Sequence, residues 1–513
     1  MKPQKGQTTI HPKGEPNSLA LKAVPVDTFG GRIHVEWDPQ AAVTPLGQLS
    51  FFIEFLKTAE LFDPWVKECP LTYTSPNAPK KRDVLGTLML SLLAGHKRYA
   101  HMTSIRADTV NPALLGMTKV ASEDSVRRAF QKVDAEAGRD WQCRHLRRCW
   151  EPLLYEPWIL DIDTTVKTLY GHQEGAEVGY NPHKPGRPSH VYHTYWIANV
   201  RLVLDAEVQP GNQGASSFSR PQLFEFLDGL SAEERPTFLR GDCGFGNEGT
   251  MMNAEQRGLD YLFKLRQTKK VKGLIESLMG GGEWSPAGQG WEGTEARLQL
   301  SGWSRERRVI VLRRELKREV VLEEPKKKDQ LEFGFLETLS PCRKYEYAVL
   351  ITSLPDEIMT VAQHYRDRAD SENGFDELKN QWSWCGFTTQ DLHRCQVMAR
   401  MAALVYNWWS LFVRLAIPGR HAEAITSRPL LLYAVGKQTQ HGGQTKITLT
   451  SIHGHYQRIR ERLVELTAFL RYLRESAEQL DWYGRWRLIL SRAFVQFLHG
   501  RTLQAPHRLQ FNT

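Results

Sequence analysis

The sequence is poor in cysteine. Its 513 residues include seven, at Cys69, Cys143, Cys149, Cys243, Cys342, Cys385 and Cys395. The count is odd, the positions are far apart and no CxxC pair occurs. That spacing excludes a disulfide framework and a structural zinc site, and it fits a reducing compartment. Long hydrophobic runs are missing too. The longest mostly apolar stretch, Val84 to Gly95, is too short to span a bilayer. The opening residues, MKPQKGQTTIHPKGEP, carry no apolar signal core. No internal repeat is found. These absences predict an intracellular protein with no membrane segment.

What is present is a core-forming composition. Hydrophobic residues make up 41% and charged residues 24%, and the length suits roughly three domains. Lys and Arg outnumber Asp and Glu by 67 to 58. That modest surplus suits a polyanionic partner such as nucleic acid.

Pattern divides the chain into five regions. Region 1–150 opens with a polar, Pro- and Gly-rich stretch (1–30) that reads as a flexible tail. From about 45 the periodicity is helical, as in LGQLSFFIEFLKTAELF and VLGTLMLSLLAG. The segment NPALLGMTKVASEDSVRRAFQK (111–132) has a helix-turn-helix look. Gly116 would end one helix, Ser122 would cap the next, and Val126, Ala129 and Phe130 would face inward. Arg127 and Arg128 would then face outward, available to phosphates of DNA. The ordinary alternative is a helical hairpin with a solvated basic face. Region 151–266 alternates strands and helices, an α/β arrangement. Region 267–356 reads as short strands with Gly-rich turns and a Lys run at 326–328, a β-rich insertion. Region 357–418 returns to helix and ends with a long apolar helix closed by Pro418 and Gly419. Region 419–513 is loop-like over 420–450. It then carries a basic amphipathic helix, YQRIRERLVELTAFLRYLRES, and an aromatic-rich segment.

Three carboxylates stand out. Asp161 and Asp163 lie in the strand WILDIDTT, and residues two apart in a strand share a face. Two aspartates on one face of an apolar strand are costly without a partner, and a hard cation such as Mg²⁺ would serve. Asp242 sits at the carboxyl end of PTFLRGD, where open α/β sheets place their sites. A lone Asp there is more ordinarily a turn former or helix cap.

The third carboxylate is in HYRDRADSENGFDELKNQW (364–382). On a continuous helix, Arg368, Glu372 and Lys379 fall at roughly 300°, 340° and 320° from Tyr365, one face of about 60°. The ordinary reading is a solvated face with Arg–Glu pairing. The flanking apolar strand and helix argue for a position nearer the core. Three carboxylates converging from separate elements can hold two Mg²⁺ ions and support attack on a phosphodiester. An Arg and a Lys beside them would clamp phosphates, and a Tyr would bond a phosphate or stack on a base.

The four residues Tyr365, Arg368, Glu372 and Lys379 match, without departure, the Tyr-x2-Arg-x3-Glu-x6-Lys signature. In this the chain resembles a large group of bacterial insertion-sequence transposases of the DDE type. DTT at 163–165 resembles that group's first-aspartate motif and GDCGFGNE at 241–248 its second, in the same chain order. The resemblance covers about 155–415; the terminal helical regions fit by position and character. It implies an α/β fold: an RNase H-like core with a β-rich insertion, flanked by helical N- and C-terminal regions. It implies that Asp163, Asp242 and Glu372 ligate two Mg²⁺ ions, with Mn²⁺ able to substitute and Asp161 the alternative first ligand. Arg368 and Lys379 would contact DNA phosphates and Tyr365 would position the strand. One of Trp284, Trp291 and Trp303 is a candidate receiver of a flipped base, against the ordinary role of sheet packing.

The implied function is a DNA transposase of the bacterial cytoplasm, associated with the nucleoid. It would bind double-stranded terminal inverted repeats, cleave the ends by hydrolysis and join 3′-hydroxyls to target DNA by transesterification. Two-ended chemistry implies a homodimer on paired ends. The rivals are a structure-specific Mg²⁺-dependent nuclease and a catalytically silent, domesticated DNA-binding protein. The intact carboxylates argue against the latter. The loop YNPHKPGRPSH (180–190) reads as a basic hairpin suited to phosphates. His172, His183, His190 and His193 cluster by sequence without metal-binding spacing.

Overall fold

The computed structural model describes residues 23–504, apart from 39, 74, 316–344, 420, 451–452 and 477–478. Most of the expected tail and the whole Lys run at 326–328 therefore lie outside the described residues. The last tail residues are not a tail. Val24–Thr28 (β1) and Gly31–Val35 (β2) form an exposed antiparallel hairpin, turned at Gly31 with φ +107°.

After a short strand, Val43–Thr44 (β3), come the helices Leu49–Thr58 (α1), Phe62–Glu68 (α2), Lys81–Leu93 (α3), Val110–Leu114 (α4), Glu123–Gln131 (α5) and Ala135–Trp150 (α6). The apolar run in α3 is buried from Asp83 to Leu93, so it is a core helix and not a membrane segment. Gly116 takes φ +68° after α4, and the Ser122 side chain accepts a bond from Ser125 N at the start of α5. Val126, Ala129 and Phe130 are buried, while Arg127 and Arg128 are exposed.

The central sheet begins with Ile159–Thr168 (β4), Glu177–Val178 (β5), Pro188–Ile197 (β6) and Leu202–Pro210 (β7). Ala215–Asp228 (α7) leads to Phe238–Gly241 (β8), and Glu248–Gln256 (α8) crosses to Asp260–Lys264 (β9). β4 pairs parallel to β8, and β8 parallel to β9. β6 pairs antiparallel to β4, and β7 to β6. The β7-to-β9 stretch of the sheet therefore runs β7-β6-β4-β8-β9.

The insertion differs from expectation in two ways. It opens on a helix, Lys269–Met279 (α9), whose Val271 and Ile275 are buried. Its strands Ser285–Gly288 (β10), Trp291–Leu298 (β11), Arg307–Glu315 (β12) and Tyr345–Thr352 (β13) then join the same sheet, because β13 pairs antiparallel with β9. Ten strands form one surface, β10-β11-β12-β13-β9-β8-β4-β6, with β5 and β7 both on β6.

Beyond β13 come Ile358–Arg366 (α10), Ala369–Gln381 (α11) and the 25-residue Leu392–Ala416 (α12). α12 packs on β7 and α6 and is buried along nearly its whole length. Its Arg400 is buried and pairs with Asp205 (Nε to Oδ1, 2.8 Å) and Glu207 (Nη2 to Oε1, 3.4 Å). Among the described residues no helix is long and apolar enough to cross a membrane.

The stretch read as loop-like contains Ala424–Leu431 (α13) and a hairpin, Gly436–His441 (β14) with Gln444–Leu449 (β15), which pairs with β3. Gly442 and Gly443 both have positive φ, +56° and +75°, as a type I′ turn requires. Tyr456–Glu475 (α14) and Trp482–Ala493 (α15) close the described fold against α1 and α12.

Candidate active site

The register of two parallel strands brings two of the three carboxylates together. Asp161 pairs with Arg240 and Ile162 with Gly241. One step further, Asp163 on β4 stands beside Asp242, the first residue after β8. Parallel neighbours lie about 4.8 Å apart, and both residues share the face that carries Asp161. The site therefore lies at the carboxyl edge of adjacent parallel strands. Gly241 is required there: a Cβ on it would stand 3.0 Å from both Ile162 and Phe245. Asp242 also shapes the turn, since its Oδ1 accepts from Gly244 N at 2.8 Å. Asn247 then caps α8, accepting from Thr250 N.

The two alternatives for the first ligand have different surroundings. Asp161 is 1% exposed, and both its oxygens are taken by Arg240, from Nε at 2.5 Å and Nη2 at 2.7 Å. The remaining Nη1 of Arg240 donates to the His364 carbonyl in α10. This buried bidentate pair ties β4, β8 and α10 together. Asp163 faces the site instead. Its Oδ1 accepts from Thr164 N at 2.7 Å, and its Oδ2 meets Arg368 Nη2 at 2.5 Å.

Arg368 is 5% exposed and joins two carboxylates. Its Nη1 donates to Glu372 Oε1 at 2.7 Å. Burial pushes the Asp163 carboxyl up to about 7. Arg368 works against that rise, while Asp242 and Glu372 add to it. Burial disfavours the Arg368 cation, but Asp163, Tyr365, Asp161 and Asp242 outweigh it and its pKa is raised.

The single helix face predicted for 365–379 is interrupted. α10 ends at Arg366 and α11 begins at Ala369, with Arg368 as its N-terminal flanking residue. Arg368 N bonds Tyr365 O, a tightened three-residue step, so the uniform 100° wheel does not hold across the joint. Arg368 turns down onto Asp163 while Glu372 stays 63% exposed. Tyr365 is half-buried against Val361 and Ala362, and burial raises its phenol. Lys379 is half-buried two turns on. Arg127 and Arg128 lie on α5, and Arg127 pairs with Asp124 of its own helix.

A divalent cation fits part of this arrangement. Asp163 and Asp242 supply adjacent hard oxygen donors. The proton affinity of Asp163, raised in part by its acidic neighbours, marks negative charge that a cation would neutralise. The full set is not assembled. Among the described residues no three His, Cys, Asp or Glu side chains are grouped to hold a metal. Arg368 instead bonds one oxygen of Asp163 and one of Glu372.

The other sequence candidates do not gather here. Trp284, Trp291 and Trp303 each carry an arginine over the ring: Arg313 at 3.9 Å, Arg314 at 4.9 Å and Arg307 at 5.5 Å. These contacts pack them onto the insertion strands. His190 bonds the Glu174 carbonyl, and His193 is buried with its pKa lowered to about 4 by desolvation. Arg240 is a residue of this cluster outside the sequence motifs. The signal was present: a charge two residues before Asp242 in an apolar strand, mirroring Asp161 two residues before Asp163.

Paired aspartates at parallel strand ends, under a helix joint carrying an arginine and a glutamate, form an acidic cluster at the carboxyl edge of an α/β sheet. Residues 75–469 match the family described as transposase DDE domain group 1, and the chain belongs to that family. It is therefore a DDE transposase, a class whose domains generally use divalent metals. A piggyBac transposase synaptic complex with hairpin DNA is similar in structure at 12% identity and a TM-score of 0.34, covering 87% of this chain and 86% of that one. Among curated proteins none matches.

Proposed function

We propose that this transposase binds the terminal inverted repeats of its element, cleaves the ends by hydrolysis and joins the 3′-hydroxyls to target DNA by transesterification. The observation that carries this reading is the cross-strand adjacency of Asp163 and Asp242 beneath Arg368 and Glu372. The β7-β6-β4-β8-β9 order, with β4, β8 and β9 parallel, supports an RNase H-like core. Asp163 and Asp242 would hold Mg²⁺, with Mn²⁺ able to substitute, and Glu372 would complete the set. Bound as a pair, such ions activate the attacking oxygen and stabilise the leaving one.

The chain's own residues do the rest. Asp161 and Arg240 fix the strand ends so that the two aspartates keep their spacing. Arg368 neutralises Asp163 and Glu372 while no DNA is bound. A phosphodiester entering the site offers the guanidinium anionic oxygens, charged as the carboxylates are and matched to its bidentate shape. Arg368 turning to phosphate would release Glu372. Lys379 would hold a neighbouring phosphate, Tyr365 would orient the strand, and Arg127 and Arg128 would contact duplex away from the centre. Because each end needs both cleavage and joining, we infer a homodimer on paired ends.

The test is Asp242→Asn and Glu372→Gln, assayed for Mg²⁺-dependent cleavage of terminal-repeat DNA and for joining of pre-cleaved 3′-hydroxyl ends. Both variants are expected to bind DNA and lose both reactions. Undiminished cleavage by a folded variant refutes the assignment. Cleavage without joining by the unaltered protein makes it a nuclease.

A further inference from the structure

Beside the acidic cluster lies a cleft of about 660 Å³, of which the proposed function uses Lys379 alone. Among the described residues four cations line it, Lys97, Arg98, Lys167 and Lys379, and no Asp or Glu does. Two of them stand on the elements that carry the carboxylates. Lys167 is on β4, on the same face as Asp163 and four residues further along, about 13 Å away. Lys379 is on α11, seven residues beyond Glu372, about 10 Å along the helix. Lys97 and Arg98 approach from the turn after α3 and are exposed.

Lys167 is mostly withdrawn from water, and desolvation lowers its pKa. A cation held this way, in a pocket without carboxylates, lacks its counter-charge. The walls also include aromatics. Tyr170 is 71% exposed at the rim. Lys184, from the 179–187 hairpin loop, donates to the Tyr170 hydroxyl at 2.6 Å and lies 5.1 Å over its ring, with Arg187 at 6.0 Å. The basic loop singled out in the sequence thus leans over the mouth of this cleft.

We propose that the cleft receives an unpaired segment of DNA strand next to the bond being cut. The Lys and Arg side chains would hold its phosphates and Tyr170 would stack on a base. A concave site with cations and an exposed ring suits single strands, because every base has a π-face and the backbone supplies the charge. A duplex would present its bases already stacked. This inference rests on the transposase reading and adds a subsite to it.

The test uses the full chain and a fluorescent duplex, either blunt or carrying a thymidine tail, titrated between 50 and 200 mM salt. Each phosphate contact on a single strand contributes about 0.7 to the slope of log affinity against log salt. Replacing the two exposed cations (Lys97→Ala with Arg98→Ala) is expected to lower the slope for tailed DNA by about 1.4. Over that salt range the unaltered protein would then lose roughly sevenfold more affinity than the variant. Blunt duplex binding should keep its slope. Tyr170→Ala is expected to weaken tailed binding roughly fivefold or more with the slope unchanged. Equal slopes for variant and parent on tailed DNA overturn the subsite and leave the transposase reading standing. Absence of DNA binding by the parent protein overturns both.

Discussion

The Asp161–Arg240 pair offers the sharpest test of how the strand ends are built. Arg240 is 2% exposed and Asp161 1%, and two N–H···O bonds join them. Arg240→Met removes the cation and leaves Asp161 buried opposite an apolar chain. Breaking a buried pair from one side costs about 3–5 kcal/mol when the remaining charge is uncompensated, and Arg368, whose cation Asp161 also favours, places the loss at Asp161 toward the low end. Asp161→Leu alone should cost a similar amount, with Arg240 stranded beside the His364 carbonyl. The double variant replaces both charges with apolar volume, and such swaps are often neutral. The expected result is therefore strong non-additivity: two large single losses and a double variant within about 1 kcal/mol of the parent. Urea unfolding followed by tryptophan fluorescence measures it. A parallel titration with Mn²⁺ separates the roles, since the double variant should still bind the ion through Asp163 and Asp242. If Asp161→Leu barely changes stability but removes Mn²⁺ binding, Asp161 is a ligand and the anchor argument is wrong.

Three further outcomes are expected. Burial raises Glu207 to about 7 from its ordinary carboxylate value near 4.5. The folded chain then holds a proton that the unfolded chain releases, so the contribution of Glu207 to stability is fully present below about pH 4.5 and is lost as pH rises through about 7. Glu207→Gln should remove that decline and unfold at higher temperature than the parent at pH 8, by an amount on the order of 2 kcal/mol. Ser122→Ala deletes the side-chain cap of α5 and should cost about 1 kcal/mol in chemical denaturation. Gly374 in α11 has no room for a side chain, since a Cβ would stand 3.0 Å from Trp196. Gly374→Val should lift α11, and Glu372 with it, from the sheet. DNA cleavage should fall steeply for a stability loss of about 1–3 kcal/mol, and equal activity in parent and variant would argue that the seat of α11 is irrelevant.

The α/β alternation was legible because the core strands are β-branched and aromatic runs ended by Gly or Pro. The caps at Gly116 and Ser122 were legible because their conformations are local. Cross-strand facts were not: that Arg240 meets Asp161 depends on a parallel register that no single segment encodes. The joint at Asp367 and Arg368 stayed hidden for another reason. Both residues keep right-handed helical backbone angles, so nothing in their propensities interrupts the wheel. What marks this turn is a buried guanidinium that bonds two carboxylates, one of them on a distant strand. Two further elements carry a local signal in the sequence. Val271, Leu274, Ile275 and Leu278 have helical spacing, and the Gly-Gly at 442–443 sits between alternating polar strands as a hairpin turn does.

The pairing of β13 with β9 has a mechanical consequence. An insertion hung on a linker would swing, whereas one continuing a sheet is a stiff beam. From β8, which leads directly into Asp242, to the far edge at β10 there are five strand-to-strand steps. At about 4.8 Å each the beam reaches roughly 24 Å before twist shortens it. Duplex DNA rises about 3.4 Å per base pair, so that reach spans roughly seven. On the proposed function, a contact made at the tip of the beam would fix how far along the element's end the strand is cut. A single added strand pair would lengthen the measure by more than one base pair.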